Sequence, residues 1–499
     1  MAQPLPIRDS NGALTLPRFA TVPVALAAMA MAMALALFAS QYGFDRDELY
    51  FRMLPPAWGY VDQPPLTPLL TRLLSISVAD EPWATRIPAI VFATASVPVI
   101  ALIAREAGGG RVAQGLAAWG YAFGSMTLSM GHVFLTSSLD LLVWPAVSLL
   151  VMRAVCREEA RWWIWVGVLV GLSTYNKFLV AMLLVSLGAG IAVLGPRRAL
   201  GSRGLWLGVA IALVLAAPNI LYQVLNGWPQ LKMGAALSVR NAATVRIIMW
   251  PMLLLMLGPL LVPIWLAGLY GLARRPGWRR LRFLLAAFPV LLGLVWLSGG
   301  QFYYPYGLLV VIYALGCVPT AELAARHLAW RVLTVAAVVT NSAAAAIISL
   351  PVIPVQALGS TVIPKINPLV GDQVGWPAYV GEIEQVVANL PEAGSTAILT
   401  SNYGEAGALS RFGQALLPSV YSGHNELFRF GPPTETVDRV VVVGGMLPRV
   451  APFFSDCPIK LRLDDQLNVA NEEQALPVAV CEGRKQSWAI IWPALQHLD

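Results

Sequence analysis

Apolar runs broken by short polar turns fill the first 350 residues of the 499-residue chain. A membrane-spanning helix needs about 20 apolar residues, fewer when it is buried within a bundle. Runs of this kind cover 19–40, 83–104, 112–130, 139–154, 162–175, 178–194, 205–221, 247–272, 283–297, 303–321 and 329–348. The pattern predicts eleven spanning helices. No short apolar segment with a small-residue cleavage site opens the sequence, so the first run is expected to persist as a helix. After about residue 350 the pattern changes. Residues 351–377 are rich in proline and glycine, 380–390 reads as a helix, and 396–400 and the R-V-V-V-V run at 439–443 read as strands. Short strands near Leu461 and at 478–480 complete a small α/β domain. The expected fold class is a polytopic α-helical membrane protein of about eleven transmembrane helices (1–350) followed by an α/β domain (351–499).

Composition agrees with a membrane assignment. Hydrophobic residues make up 57% of the chain and charged residues 12%, about half the charged share of a soluble domain. The net charge of +7 comes mainly from arginines between apolar runs. Positive-inside bias explains them without a nucleic-acid partner. With Arg8 and Arg18 in the cytoplasm, the basic turns at 105–111, 153–161, 197–203, 274–282 and 326–331 fall on the same side, and every second loop is basic. The α/β domain then lies outside the cytoplasm. No repeat of fixed period is visible, and no matched pair of Gly/Pro-broken helices relates the two halves, which weakens a secondary-transporter reading.

The outward loops carry the candidate chemistry. Between the first two runs lies F-D-R-D-E-L-Y at 44–50, continuing to G-Y-V-D-Q-P-P-L at 59–66. Carboxylates beside hydrocarbon are costly and usually line a site or a water-filled cavity. Asp47 and Glu48 are neighbours and cannot face the same way on a helix, so one can meet a reacting group while the other holds backbone. An interfacial charge pair is the plainer explanation. Asp62 and Asp140 recur on the same face, and Asp140 has the alternative of a helix-dipole partner at a first turn. Arg86 and Lys177 are cations in costly positions, for which a phosphate is a natural partner. The plainer alternatives are a salt bridge from Arg86 to Asp80 or Glu81, and snorkelling by Lys177. Gln301-Phe302-Tyr303-Tyr304-Pro305 precedes the tenth run, where interfacial tyrosines are routine. His132 and His424 lack metal-site spacing, and no metal is assigned. Cys457 and Cys481 fall in the outer domain, where an oxidising compartment favours a disulfide over two free thiols.

The series D-E-L-Y-F, D-Q-P-P-L, R-I-P and S-S-L-D-L-L, in this order, resembles the GT-C glycosyltransferases of family 39. N-Y-G-E-A-G-A-L at 402–409, Y-S-G-H-N at 421–425 and N-E-E-Q at 471–474 are similar to the C-terminal domain of its bacterial branch. The resemblance implies a GT-C-like bundle in the plasma (inner) membrane, with the active site and the C-terminal domain on the extracytoplasmic side. It further implies a polyprenyl-phosphate sugar donor and a glycan, lipid or protein acceptor. Asp47 matches the catalytic base and Glu48 its companion. Asp140 is a further catalytic position, and Asp62, Gln63, Tyr50, Tyr303 and Tyr304 belong to the donor or acceptor cavity. Arg86 and Lys177 match positions near the donor phosphate. Relatives often carry histidine or lysine where this chain has Gln63. No cofactor is required, and the acidic cluster would accommodate a divalent ion without calling for one. The rival readings are a transporter or flippase of lipid-linked sugars, and a sensory protein whose C-terminal domain does the work.

Overall fold

The computed structural model describes residues 16–390, 396–415 and 417–498, so Arg8 lies outside the described residues. Two compact units emerge. One comprises residues up to Phe38, Arg86–Trp228 and Leu237–Leu350, and the other Ala39–Thr85, Pro229–Ala236 and Pro351–Asp499. The loop after the first helix, expected within a 1–350 domain, therefore belongs to the same unit as the C-terminal residues.

The first unit is helical. Its central helix, Tyr306–Arg326, is buried at every position from Leu308 to Val318, as expected of a helix that is apolar all round. Leu328–Ser349 is the opposite case. Leu328, Trp330, Val332, Leu333, Val335 and Val339 are exposed, and such a surface calls for lipid. All eleven apolar runs are helical, but they are not eleven equivalent spans. Among the described residues, six helices are long and apolar enough to cross a membrane: Thr21–Phe38, Ile87–Glu106, Arg203–Leu225, Pro276–Ser298, Tyr306–Arg326 and Leu328–Ser349. A bent pair, Pro229–Leu255 and Pro259–Arg274, makes a seventh. Its 73° bend falls where the single run 247–272 was expected. Gly258 has φ +108° there, and a Cβ would strike the Asn341 side chain. Pro259 follows and cannot donate a helical hydrogen bond. The run 112–130 likewise divides, into Arg111–Ala122 and Ser125–His132. Ala160–Ser173 and Val180–Leu194, with 14 and 15 residues, rise about 1.5 Å per residue and fall short of a ~30 Å hydrocarbon core.

The second unit is built on a sheet with strands β1 (Thr396–Thr400), β2 (Val420–Ser422), β3 (Arg439–Val443), β4 (Phe454–Asp456), β5 (Ile459–Arg462) and β6 (Pro477–Arg484). The order is β2-β1-β3-β6-β4, with β5 also on β6. β1 lies parallel to β2 and β3, while β6 runs antiparallel to β3. Val440 to Val443 are fully buried, because a strand with both faces covered reads as a continuous apolar run. A disulfide joins Cys457 to Cys481, with Cα atoms 4.0 Å apart.

The same unit places the helix Arg46–Met53 against the helix Tyr403–Phe412. Gly407 makes this approach feasible, since a Cβ there would lie 2.7 Å from the Leu49 backbone. The two apolar faces then close around Phe44, Leu49, Ala408, Leu409 and the inner valines of β3.

Candidate active site

Polar residues gather in each unit. In the sheet unit the Arg46–Met53 helix begins with a capping box. Asp45 accepts from the Asp47 backbone N–H at 2.9 Å, and the Glu48 carboxylate accepts from the Asp45 N–H at 2.9 Å. Glu48 is wholly buried in this role. The pairing with Asp47 is therefore resolved by direction: Glu48 holds backbone, as an N3 glutamate does, and Asp47 points elsewhere. Glu48, expected among the catalytic residues, caps this helix in the structure.

Asp47 is half-buried and accepts at Oδ1 from the Tyr403 hydroxyl at 2.7 Å. The same phenol oxygen accepts from Arg46 Nη2 at 3.3 Å, and Arg46 forms an ion pair with Glu472. Tyr403 stacks on Tyr50 on one side and on His424 on the other, both at 4.6 Å between centroids. Tyr50 in turn donates to Asp62 Oδ1 at 3.1 Å. Two stacked tyrosines thus hold two carboxylates. Burial pushes the Asp62 carboxyl up to about 7, against the pull of a backbone hydrogen bond. Gln63 is buried, and its backbone carbonyl accepts from the Tyr60 N–H at 2.9 Å.

The three C-terminal motifs meet this segment. Asn402 and Glu405 form a second capping box at the start of Tyr403–Phe412. Asn402 Nδ2 donates to Glu473 at 2.8 Å, and His424 Nδ1 accepts from the Tyr403 N–H at 3.1 Å. The buried Glu405 and Glu473 carboxyls interact side chain to side chain, and burial raises both above the ordinary range. Glu405 Oε1 and Glu473 Oε2 have no other donor among the described residues. A single proton between them would satisfy both oxygens.

In the helical unit, Asp140 opens the helix Asp140–Arg157 and interacts electrostatically with Lys177. The Lys177 ammonium sits over the rings of Tyr303 and Tyr304, 5.9 and 5.2 Å from their centroids. Asp140, Tyr303 and Tyr304 line a cavity together with Tyr121, Ser137 and Trp144. Four residues singled out in separate loops or turns are therefore brought together. Arg86 is different. It is wholly buried, does not line this cavity, and donates from Nη1 to His132 Nε2 at 3.3 Å. Asp80, its expected partner in the plainer reading, accepts two bonds of 2.8 Å from Arg52.

Tyr403, Arg46 and His424 were not among the expected site residues. The spacing D-x-x-E at 45–48 and N-x-x-E at 402–405 is a capping-box signature and locates two of the elements that carry them. The contact from residue 403 to residue 47 has no local signal.

Residues 62–222 match the sequence profile of the family described as dolichyl-phosphate-mannose-protein mannosyltransferase. No curated protein matches the chain by sequence. Among solved structures, ArnT from Cupriavidus metallidurans in the apo state is 15% identical, with a TM-score of 0.54 over 92% of this chain and 98% of that chain. The same protein bound to undecaprenyl phosphate is 15% identical, with a TM-score of 0.56 over 91% and 97%. The arabinofuranosyltransferase AftD from Mycobacteria is 15% identical at a TM-score of 0.54, matching 95% of this chain but 41% of its own length. Residues 62–222 are thus similar to that mannosyltransferase family, and more than nine-tenths of the chain shares the fold of ArnT.

Proposed function

We propose that the protein moves a sugar from a polyprenyl-phosphate donor to an acceptor hydroxyl on the extracytoplasmic side of the plasma membrane. The observation that carries this reading is the placement of Asp62, Gln63, Arg86, Asp140 and Lys177 inside the segment matching a family that is named for a dolichyl-phosphate sugar. ArnT, which shares the fold, has been solved with undecaprenyl phosphate. Asp47 takes the proton of the acceptor hydroxyl, a base contribution worth about 10²–10⁴-fold. The acceptor oxygen bonds to the anomeric carbon as the bond from that carbon to the phosphate oxygen breaks. The electron pair leaves with the phosphate, and the configuration inverts. Lys177 neutralises the leaving charge and exchanges its tyrosine faces for phosphate oxygens. Arg86 is held against His132 in the helical unit. Asp140 orients Lys177, and Asp62 and Tyr50 complete the acceptor side. The arginine-rich turns favour a cytoplasmic side opposite the active site, and the Cys457–Cys481 bond favours an oxidising compartment for the sheet unit.

Purified protein in liposomes containing undecaprenyl phosphate charged with radiolabelled mannose or aminoarabinose, together with a cell-envelope extract as acceptor, tests the reading. Label should pass from lipid to acceptor with release of undecaprenyl phosphate. Label that crosses the bilayer still attached to its lipid would identify a flippase instead.

A further inference from the structure

We infer that Tyr403, from the C-terminal part of the chain, is the positioning residue for Asp47. The inference rests on Asp47 acting as the base. Tyr403 donates to one carboxylate oxygen, Oδ1, at 2.7 Å, which leaves proton uptake to Oδ2. The phenol is itself fixed. Its oxygen accepts from Arg46, and its ring lies between Tyr50 and His424 at 4.6 Å on each face. His424 stacks in turn on His497 at 4.6 Å, and both ring nitrogens of His497 lie 2.9 Å from carbonyl oxygens, those of Leu495 and Ser401. Gly404 permits the approach, since a Cβ there would come within 2.9 Å of Arg46 Cβ. The rotamer of the base is therefore set by residues hundreds of positions away. An aspartate at the second position of a short helix would otherwise have several staggered wells to choose from.

This arrangement has a kinetic signature that general packing lacks. A donor to the carboxylate fixes its orientation. Tyr403→Phe keeps the ring stack and removes the bond. It should lower kcat about 10-fold, the size of one charge-assisted hydrogen bond, and leave KM for the donor within about 2-fold. The companion measurement is Asp47→Asn with and without Tyr403→Phe, each checked for an unchanged melting transition. If Tyr403 acts through Asp47, the second change costs nothing further once Asp47 is gone. A further 10-fold loss in the Asp47→Asn background, or a Tyr403→Phe enzyme with wild-type kcat, overturns the positioning role while leaving Asp47 as the base. Near-normal turnover by Asp47→Asn alone would instead remove the base itself.

Discussion

Asp47 and Lys177 are held by different physics. The carboxylate is fixed by a directed hydrogen bond from Tyr403, on a helix whose first turn is closed by a capping box. The ammonium lies over two ring faces beside the Asp140 carboxylate. A hydrogen bond loses strength steeply when bent, so Asp47 is aimed. A ring face attracts a cation diffusely, so Lys177 is held near its place without a single required angle. A base needs aim at one proton. A cation that follows a departing phosphate benefits from a shallower well.

The largest effect expected from breaking this contrast is Asp47→Asn, which should fold and reach the membrane but lose about 10²-fold or more in transfer rate, read as label passed to acceptor per unit time. Disrupting the scaffold of the sheet unit comes next. Cys481→Ser opens a bridge between residues 24 positions apart and should cost about 3 kcal/mol of that unit's stability, measured by chemical unfolding followed at Trp488 and Trp492. Lys177→Ala should lower kcat/KM for the donor about 10-fold or more while leaving acceptor KM near its wild-type value. Lys177→Arg should recover part of the loss, because charge rather than one angle is what the site demands. Equal losses toward donor and acceptor would place Lys177 in the framework instead.

A smaller effect concerns pH. Asp62 and Asp372 are pushed up to about 7 by burial, and the Glu405–Glu473 pair is raised for the same reason. The folded protein therefore keeps protons that the unfolded chain releases. This stabilisation is fully present below the ordinary carboxylate range and is lost as pH rises through about 7. Thermal unfolding should fall between about pH 5 and about pH 8. Glu473→Gln substitutes an amide donor for the shared proton and should make that fall shallower, by no more than one proton's worth, roughly 1.4 kcal/mol per pH unit. An unchanged slope would show that the pair shares no proton.

The helical character of each apolar run, the strand at 439–443 and the disulfide partners were legible in the sequence because period and composition report burial directly. The spans were less so. Runs at 112–130 and 247–272 look continuous in hydropathy, yet Gly124 and the Gly258-Pro259 pair interrupt them, and such breaks depend on packing around one or two residues. The site divides in the same way. Asp47, Asp140 and Lys177 were legible as charges in places too apolar to tolerate them. Glu48 was legible as one of two adjacent carboxylates, and its capping bond to Asp45 follows from the D-x-x-E spacing at 45–48. Arg86 was matched to a phosphate on its charge and on the family resemblance, and its burial against His132 is a tertiary fact. Tyr403 could not be found, since nothing local ties residue 403 to residue 47.

The configuration of the sugar in the product tests the central claim most directly. With a polyprenyl-phosphate donor of known anomeric configuration, nuclear magnetic resonance of the purified product reads the outcome of the displacement without reference to any variant. A single displacement with Asp47 as base predicts inversion at the anomeric carbon in every product molecule. Retention would require a covalent sugar–enzyme intermediate and contradict the assignment of Asp47 as a base.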